Sequence, residues 1–276
     1  MNYPDKSYFP FISQKSAVEK LTNVLRREIT AYLKENKLQS LVLGISGGID
    51  SAVCAALLLP VCNYFKIPLI GRSITIESNK KEEIDLSIAV GESFCHNFEY
   101  LDHTTVYFEN KKNMILLDNS ILSKLRQGNL KARMRMLILY DLAQLYRGMV
   151  ISTDNYTEYL TGFWTLHGDV GDYAPLMNLW KTEVYHLAES LLSECNPSQS
   201  AALKACIEAT PVDGLGISNS DCEQLGVENY FEADQIFCDY FNGNKSLENH
   251  QLIKRFNSSA YKRNNPVEIL RKTILK

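Results

Sequence analysis

No C-x-x-C pair occurs among the seven cysteines, Cys54, Cys62, Cys95, Cys195, Cys206, Cys222 and Cys238, and this argues against a zinc ribbon. Their odd number and their scatter through apolar segments predict reduced, mostly buried thiols. No apolar run reaches the ~18 residues that span a bilayer, so no membrane partner is expected. The opening MNYPDKSYFPF lacks the basic start and apolar core of a signal peptide, and the expected location is the cytoplasm. Surplus positive charge is missing too. The formal net charge of −3 gives no reason to expect nucleic acid. Neither an internal repeat nor a low-complexity linker is visible, so residues 1–276 read as a single domain.

What is present is alternation. Val18, Leu21, Val24, Leu25, Ile29, Tyr32 and Leu33 fall at helical spacing over 15–36. Residues 39–45 read as a buried strand, 51–65 as a helix and 68–74 as a second strand. A helix is expected from about Lys80 to Phe94, then a short strand FEYL at 98–101. A long helical stretch should cover 113–147, broken near Gly128, before a strand at 148–153. From Lys181 onward the chain reads as helical, with a polar, glycine-containing loop between Pro211 and Gly226. Strands alternating with helices imply an α/β fold with parallel pairing and right-handed crossovers. In such sheets ligands sit beyond the carboxyl ends of the strands.

The stretch LVLGISGGIDSAV, residues 41–53, lies at one of those ends. Its glycines let backbone N–H groups approach an anion, and the following helix directs its positive end at the same spot. Ser46 and Ser51 add hydroxyl donors. Asp50 would repel phosphate unless Mg²⁺ lies between carboxylate and phosphate oxygens. The stretch carries neither G-x-x-x-x-G-K-[ST] nor G-x-G-x-x-G. A plain strand-to-helix turn needs neither the serines nor the aspartate.

S-G-G-x-D-S after a strand resembles the pyrophosphate-binding loop of the ATP pyrophosphatases, which cleave ATP between its α and β phosphates and adenylate a carbonyl or carboxylate oxygen. Further stretches narrow the resemblance to the NAD synthetases. QGNLKARMRM (127–136) resembles their G-N-x-x-A-R-x-R-M helix. STDNYTEYLTGFWTLHGD (152–169) and DYAPLMNLWKTEVYHLA (172–188) resemble their G-T-D-x-x-E…G-x-x-T-x-x-G-D and D-x-x-P-L…K-T-x-V segments. ATPVDGL followed by DCEQLG, and YKRNNP (261–266), match more loosely. The resemblance implies a Rossmann-like three-layer α/β/α fold with a parallel sheet, of the adenine nucleotide alpha hydrolase-like kind, and a helical C-terminal part. It implies a homodimer, and a ligase forming a C–N bond in NAD biosynthesis. The carboxylate of nicotinic acid adenine dinucleotide attacks the α-phosphorus of ATP and releases pyrophosphate; ammonia then displaces AMP to give NAD. The substrate supplies the nucleophile, so the protein needs none of its own.

Residue roles follow from the same resemblance. Asp50 and Glu158 would hold Mg²⁺, and Asp50 and Lys181 would be catalytic. Gly44, Ser46, Gly47, Gly48, Ser51, Thr153, Lys181 and Thr210 would contact ATP, the co-substrate. Arg72, at the end of the second strand, reads either as a surface charge or as a neighbour of the adenosine. Asn129, Arg133, Asp172, Tyr261 and Lys262 would bind the dinucleotide acid. The run Lys124, Arg126, Lys131, Arg133, Arg135 reads as a solvated basic face or RNA patch, or as a packed helix directing some charges at a ligand.

The chain also departs from the family pattern. Leu166 stands where the compact, ammonia-using enzymes carry Lys, which resembles the synthetase domain of the larger glutamine-using enzymes. Yet 276 residues leave no room for their glutaminase domain, so free ammonia is the expected nitrogen source, with a separate glutaminase as the alternative. Tyr261 replaces the usual His, Cys222 replaces a Glu, and the Gly168–Asp172 spacing is one residue shorter than in the compact enzymes. The resemblance implies that these positions face the acid being amidated. Nicotinic acid mononucleotide is the alternative substrate for the same chemistry.

Overall fold

The computed structural model describes residues 8–77, 79–211 and 220–274. The elements in chain order are α1 (Lys15–Asn36), β1 (Leu41–Gly44), α2 (Ile49–Phe65), β2 (Leu69–Thr75), α3 (Lys81–Phe94), β3 (Asn97–Asp102), α4 (Thr104–Lys111), α5 (Ile121–Leu145), β4 (Met149–Ile151), α6 (Tyr156–Thr161), α7 (Lys181–Leu191), α8 (Pro197–Glu208), α9 (Asp221–Leu225), α10 (Tyr230–Phe241), α11 (Gln251–Ser258), α12 (Ala260–Arg263) and α13 (Arg271–Ile274). Among the described residues the strands form one parallel sheet in the order β3-β2-β1-β4.

Period-two alternation along the strands feeds two cores. Leu41, Leu43, Leu69, Met149 and Ile151 face a core shared with α1, α2, α3, α7 and α8. Val42, Ile70 and Val150 face the other layer, where Tyr107 of α4 and Met134, Leu139 and Ala143 of α5 cover them. The expected three-layer α/β/α fold with a parallel sheet is therefore present.

Helix α2 is apolar on every side because it is enclosed between sheet and helices, with Ile49 through Leu58 buried apart from Asp50. Pro60 lies inside it and cannot donate to the carbonyl of Ala56. The Arg26 guanidinium of α1 reaches over instead, donating to Ala56 O at 3.5 Å and Leu57 O at 3.3 Å.

Two expectations need correction. The long helix starts at Ile121, not at 113, and it runs unbroken through a buried Gly128. Asp118 accepts from Ser120 and Ser123, and the Ser120 hydroxyl accepts from Ser123 N, so the start is built from a local cap. One glycine costs a helix only about 1 kcal/mol, which burial of the face against β1 and β4 outweighs. Helix α4 was not expected as a separate element. Of the loop expected over 211–226, Asp221–Leu225 is helical, while 212–219 lie outside the described residues.

A further core gathers the C-terminal helices. Tyr156 and Leu160 of α6, Leu225 of α9, Phe237 of α10 and Phe256 of α11 share it with Trp180, which Tyr156 and Phe237 touch directly. The segment Tyr8–Ile12 closes this core. Trp180 Nε1 donates to Tyr8 O at 2.9 Å, and Ile12 N donates to Glu183 Oε1 at 2.8 Å. Trp180 has no solvent exposure, whereas Tyr64 is 77% exposed. Trp180→Ala is accordingly expected to lose about 3–5 kcal/mol in denaturant unfolding, and Tyr64→Ala to stay within about 0.5 kcal/mol of the parent.

Candidate active site

Helices α2 and α6 leave the sheet from adjacent strands, β1 and β4, and the crevice between them opens onto a cavity of about 410 Å³. The turn after β1 is its floor. Gly47 has φ +86, and a side chain there would place its Cβ 2.5 Å from the Glu83 carbonyl. Glycine is thus required both by the backbone and by the close approach of α3. The Ser46 hydroxyl accepts from Gly48 N at 3.1 Å and lies 3.2 Å from the Ser51 hydroxyl, which donates to Gly48 O at 3.0 Å. This web fixes the turn while the start of α2 presents its N-terminus to the cavity.

Three further side chains meet there from three helices. Lys181 Nζ, from the first residue of α7, lies 2.5 Å from Asp50 Oδ2 of α2 and 3.2 Å from Glu158 Oε1 of α6. Asn155 Nδ2 donates to Asp50 Oδ1 at 2.9 Å. Asn155 also caps α6, its side chain accepting from Glu158 N while its own N–H donates to Glu158 Oε2. The Lys181 ammonium lies 4.8 Å from the Tyr230 ring centroid.

Carboxylates outnumber cations in this pocket. Burial opposes the Lys181 charge, but Asp50 and Glu158 outweigh it and raise the ammonium above the ordinary lysine range. Burial raises the Glu158 carboxyl against the pull of Lys181. With one ammonium between two carboxylates, the lysine holds its charge and the second carboxylate bears the desolvation cost. Burial pushes Asp154 up to about 7, helped by Asp169 and Asp50. Burial likewise pushes Asp169 up to about 7, although Thr165 N donates to both of its oxygens.

The donor set suits a hard, oxygen-seeking cation. Among the described residues no group of three or more His, Cys, Asp or Glu side chains is arranged to hold a metal ion. Two carboxylates beside an anion cradle fit Mg²⁺, which takes one or two carboxylates and completes its shell with phosphate oxygens and water.

The cavity wall includes most of the residues singled out in the sequence. Gly44, Ser46, Gly47, Gly48, Asp50, Arg72, Asn129, Thr153, Glu158, Lys181, Thr210, Tyr261 and Lys262 all line it. Arg72 lies within β2, which continues to Thr75, and donates to Asn97 Oδ1 at 2.8 Å with Glu99 at 3.4 Å. Ser51, Arg133 and Asp172 do not line the cavity. Ser51 is buried and braces Ser46. Asp172 accepts from Val150 N at 3.0 Å and from Tyr140 Oη at 2.9 Å, serving the edge of β4. Arg133 Nε donates to Leu166 O at 3.2 Å outside the cavity. Lys262 Nζ donates to the carbonyls of Gly162 and Trp164.

Sequence reasoning missed Asp154, Asn155 and Asp169, although all three lie in the quoted 152–169 stretch. It also left Arg135 unassigned. That guanidinium lines the cavity and donates to Ile74 O and Asn79 Oδ1, each at 3.0 Å.

Comparison with known proteins places this chain among relatives. The NAD synthase family model matches residues 20–276. An NH₃-dependent NAD⁺ synthetase of Finegoldia magna is 33% identical over 251 residues, covering 87% of this chain and 92% of that one. Among solved structures, an NMN synthetase from Francisella tularensis superposes with a TM-score of 0.75 at 24% identity, covering 92% of this chain and 98% of that one. An NH₃-dependent NAD synthetase from Campylobacter jejuni gives 0.67 at 23% identity, covering 92% and 99%. At these identities the structural likeness speaks for the fold.

The raised carboxyls give a signed pH dependence. Asp169 prefers its protonated form in the folded chain, so its contribution is fully present below the unfolded value near 4 and is lost as pH rises through about 7. The ligand-free protein should therefore lose thermal stability between pH 5 and pH 8, and Asp169→Asn should flatten that fall. An identical slope in the variant would remove Asp169 as its source.

Proposed function

This chain belongs to the NAD synthase family, and from that membership we propose that it acts in the cytoplasm as an ATP-dependent amide ligase, residues 1–276 forming one domain. It converts nicotinic acid adenine dinucleotide to NAD with ammonia, releasing AMP and pyrophosphate. The observation that carries the reading is Lys181 clasped between Asp50 and Glu158 beside the Ser46–Gly48 turn. A glycine turn alone binds an anion. A buried lysine with two carboxylates beside it suits a polyphosphate that arrives with a cation.

In the first step a carboxylate oxygen of the substrate bonds to the α-phosphorus of ATP and the bond to the β-phosphate oxygen breaks. The N–H groups of the turn, the start of α2 and Lys181 receive the charge growing on the departing pyrophosphate. In the second step ammonia bonds to the acyl carbon, AMP departs and the nitrogen loses a proton. Asp50 and Glu158 would hold Mg²⁺, which when bound neutralises phosphate charge during the transfer. Of the cavity-lining residues, Arg72 and Thr153 would serve the nucleotide, and Asn129, Tyr261 and Lys262 the acid.

The chain works as a homodimer in this reading. The helix α5 leaves Ile121, Leu122, Leu137 and Leu145 exposed, apolar surface that a second copy could cover. Arg133 and Asp172 would then serve the acid from outside the cavity of their own chain.

One observation favours a smaller acid. Arg133 and Asp172 are held on Leu166 O and on Val150 N with Tyr140, off the cavity wall, which suits nicotinic acid mononucleotide. Product analysis with each acid, offered ammonia or glutamine, separates these readings. AMP and pyrophosphate are expected with ammonia; ADP and phosphate would overturn the ligase assignment. Asp50→Asn should abolish turnover with its circular dichroism spectrum unchanged, and full activity would reject the assigned role of Asp50.

A further inference from the structure

Asp234 of α10 is fully buried and does not line the cavity. Its hydrogen-bond donors come from α6 and α7, the two helices that carry Glu158 and Lys181. Oδ1 accepts from the Thr157 hydroxyl at 2.5 Å. Oδ2 accepts from Thr182 N at 2.9 Å and the Thr182 hydroxyl at 2.7 Å. Thr157 Oγ1 in turn accepts from Lys181 N at 3.0 Å. Thr157 immediately precedes Glu158, and Thr182 immediately follows Lys181. One carboxylate thus joins the first turn of α6 to the first turn of α7.

A buried carboxylate on neutral donors is costly where packing alone is needed, since an apolar side chain would fill the same space more cheaply. Burial accordingly pushes this carboxyl up to about 6 despite the three donors, and Glu183 adds to the rise. What an apolar side chain lacks is a fixed, two-armed hydrogen-bond geometry. The distance from Glu158 to Lys181 depends on how α6 and α7 sit against each other.

We propose that Asp234 is a positioning residue which, through Thr157 and Thr182, sets the separation of Glu158 and Lys181 required for adenylation. It touches no substrate. The inference rests on the ligase reading, because that reading assigns Glu158 to Mg²⁺ and Lys181 to ATP.

The test uses the full chain with Mg²⁺, ATP, ammonia and whichever acid the wild type turns over. Asp234→Asn is expected to lower kcat on the order of 10²-fold, the scale of small displacements at a reacting centre, with KM for ATP within about twofold of the parent. Thr182→Val, nearly isosteric and keeping the Thr182 N–H donor, is expected to lose about tenfold in kcat, equivalent to about 1.4 kcal/mol. The double variant should be no slower than Asp234→Asn alone, because both remove one clasp. Activity is expressed per folded molecule, from thermal unfolding of each variant. Wild-type kcat per folded molecule would overturn the proposal, as would a loss confined to KM. If Asp234→Asn does not fold, Thr182→Val and Thr157→Val decide by the same criteria. A wild type that forms no AMP and pyrophosphate from either acid overturns the ligase reading, and the proposal falls with its premise.

Discussion

The Lys181 ammonium between Asp50 and Glu158 is the interaction around which the rest of the molecule is arranged. The three side chains start three helices, and the pairs are separated by 131 and 23 residues. A buried triad of charges does not assemble from its own attraction, because desolvation consumes most of the Coulomb gain. Each helix start is therefore fixed by a device of its own. The web of Ser46, Gly48 and Ser51 holds α2. The Asn155 cap holds α6, with a second arm on Asp50. Glu183 accepts from Trp180 N ahead of α7, and the aromatic segment Tyr8–Ile12 packs on that same corner.

This architecture leaves a charge imbalance that bears on ligand choice. Burial raises Asp154, Glu158 and Asp169 together, so the ligand-free pocket resists holding all its carboxylates ionised. A bare anion would worsen this, and a bare cation would leave the glycine turn unused. A polyanion accompanied by a divalent cation satisfies both halves at once. The same balance explains why the carboxylates are not merely a liability to stability: strained electrostatics concentrate where binding relieves them.

The glycine turn at the floor of the cavity was legible in the sequence because its signals are local. A buried strand, a glycine pair and flanking serines stand within 13 residues, and alternation of strands and helices puts them at a carboxyl end of a parallel sheet. The start of α5 was missed although Asp118 and Ser120 advertise a cap, because the apolar residues before them suggested continuity. Ser51 shows a subtler limit: its hydroxyl matches a donor to phosphate, yet geometry spends it on Ser46 and the Gly48 carbonyl. Asp234 was invisible. In YFEADQIFCDYF nothing separates it from a solvated helix acid, and its burial depends on partners 52 and 77 residues away.

The two halves of the site differ in how firmly this chain holds them, and that difference follows from what each must do. Aligning a phosphorus for attack needs fixed dipoles in a place shielded from water, and Asp50, Glu158 and Lys181 lie in such a place with low exposure. Choosing one acid over another needs contacts that differ between candidates, and these can stand at the rim. Tyr261 is exposed, Lys262 hangs on two backbone carbonyls, and Arg133 rests on the Leu166 carbonyl rather than on any side chain at 166. Replacing Lys by Leu at that position therefore leaves the Arg133 bond possible while removing a charge beside it. Leu166, Cys222 and Tyr261 stand outside the starts of α2, α6 and α7 that the Lys181 triad constrains.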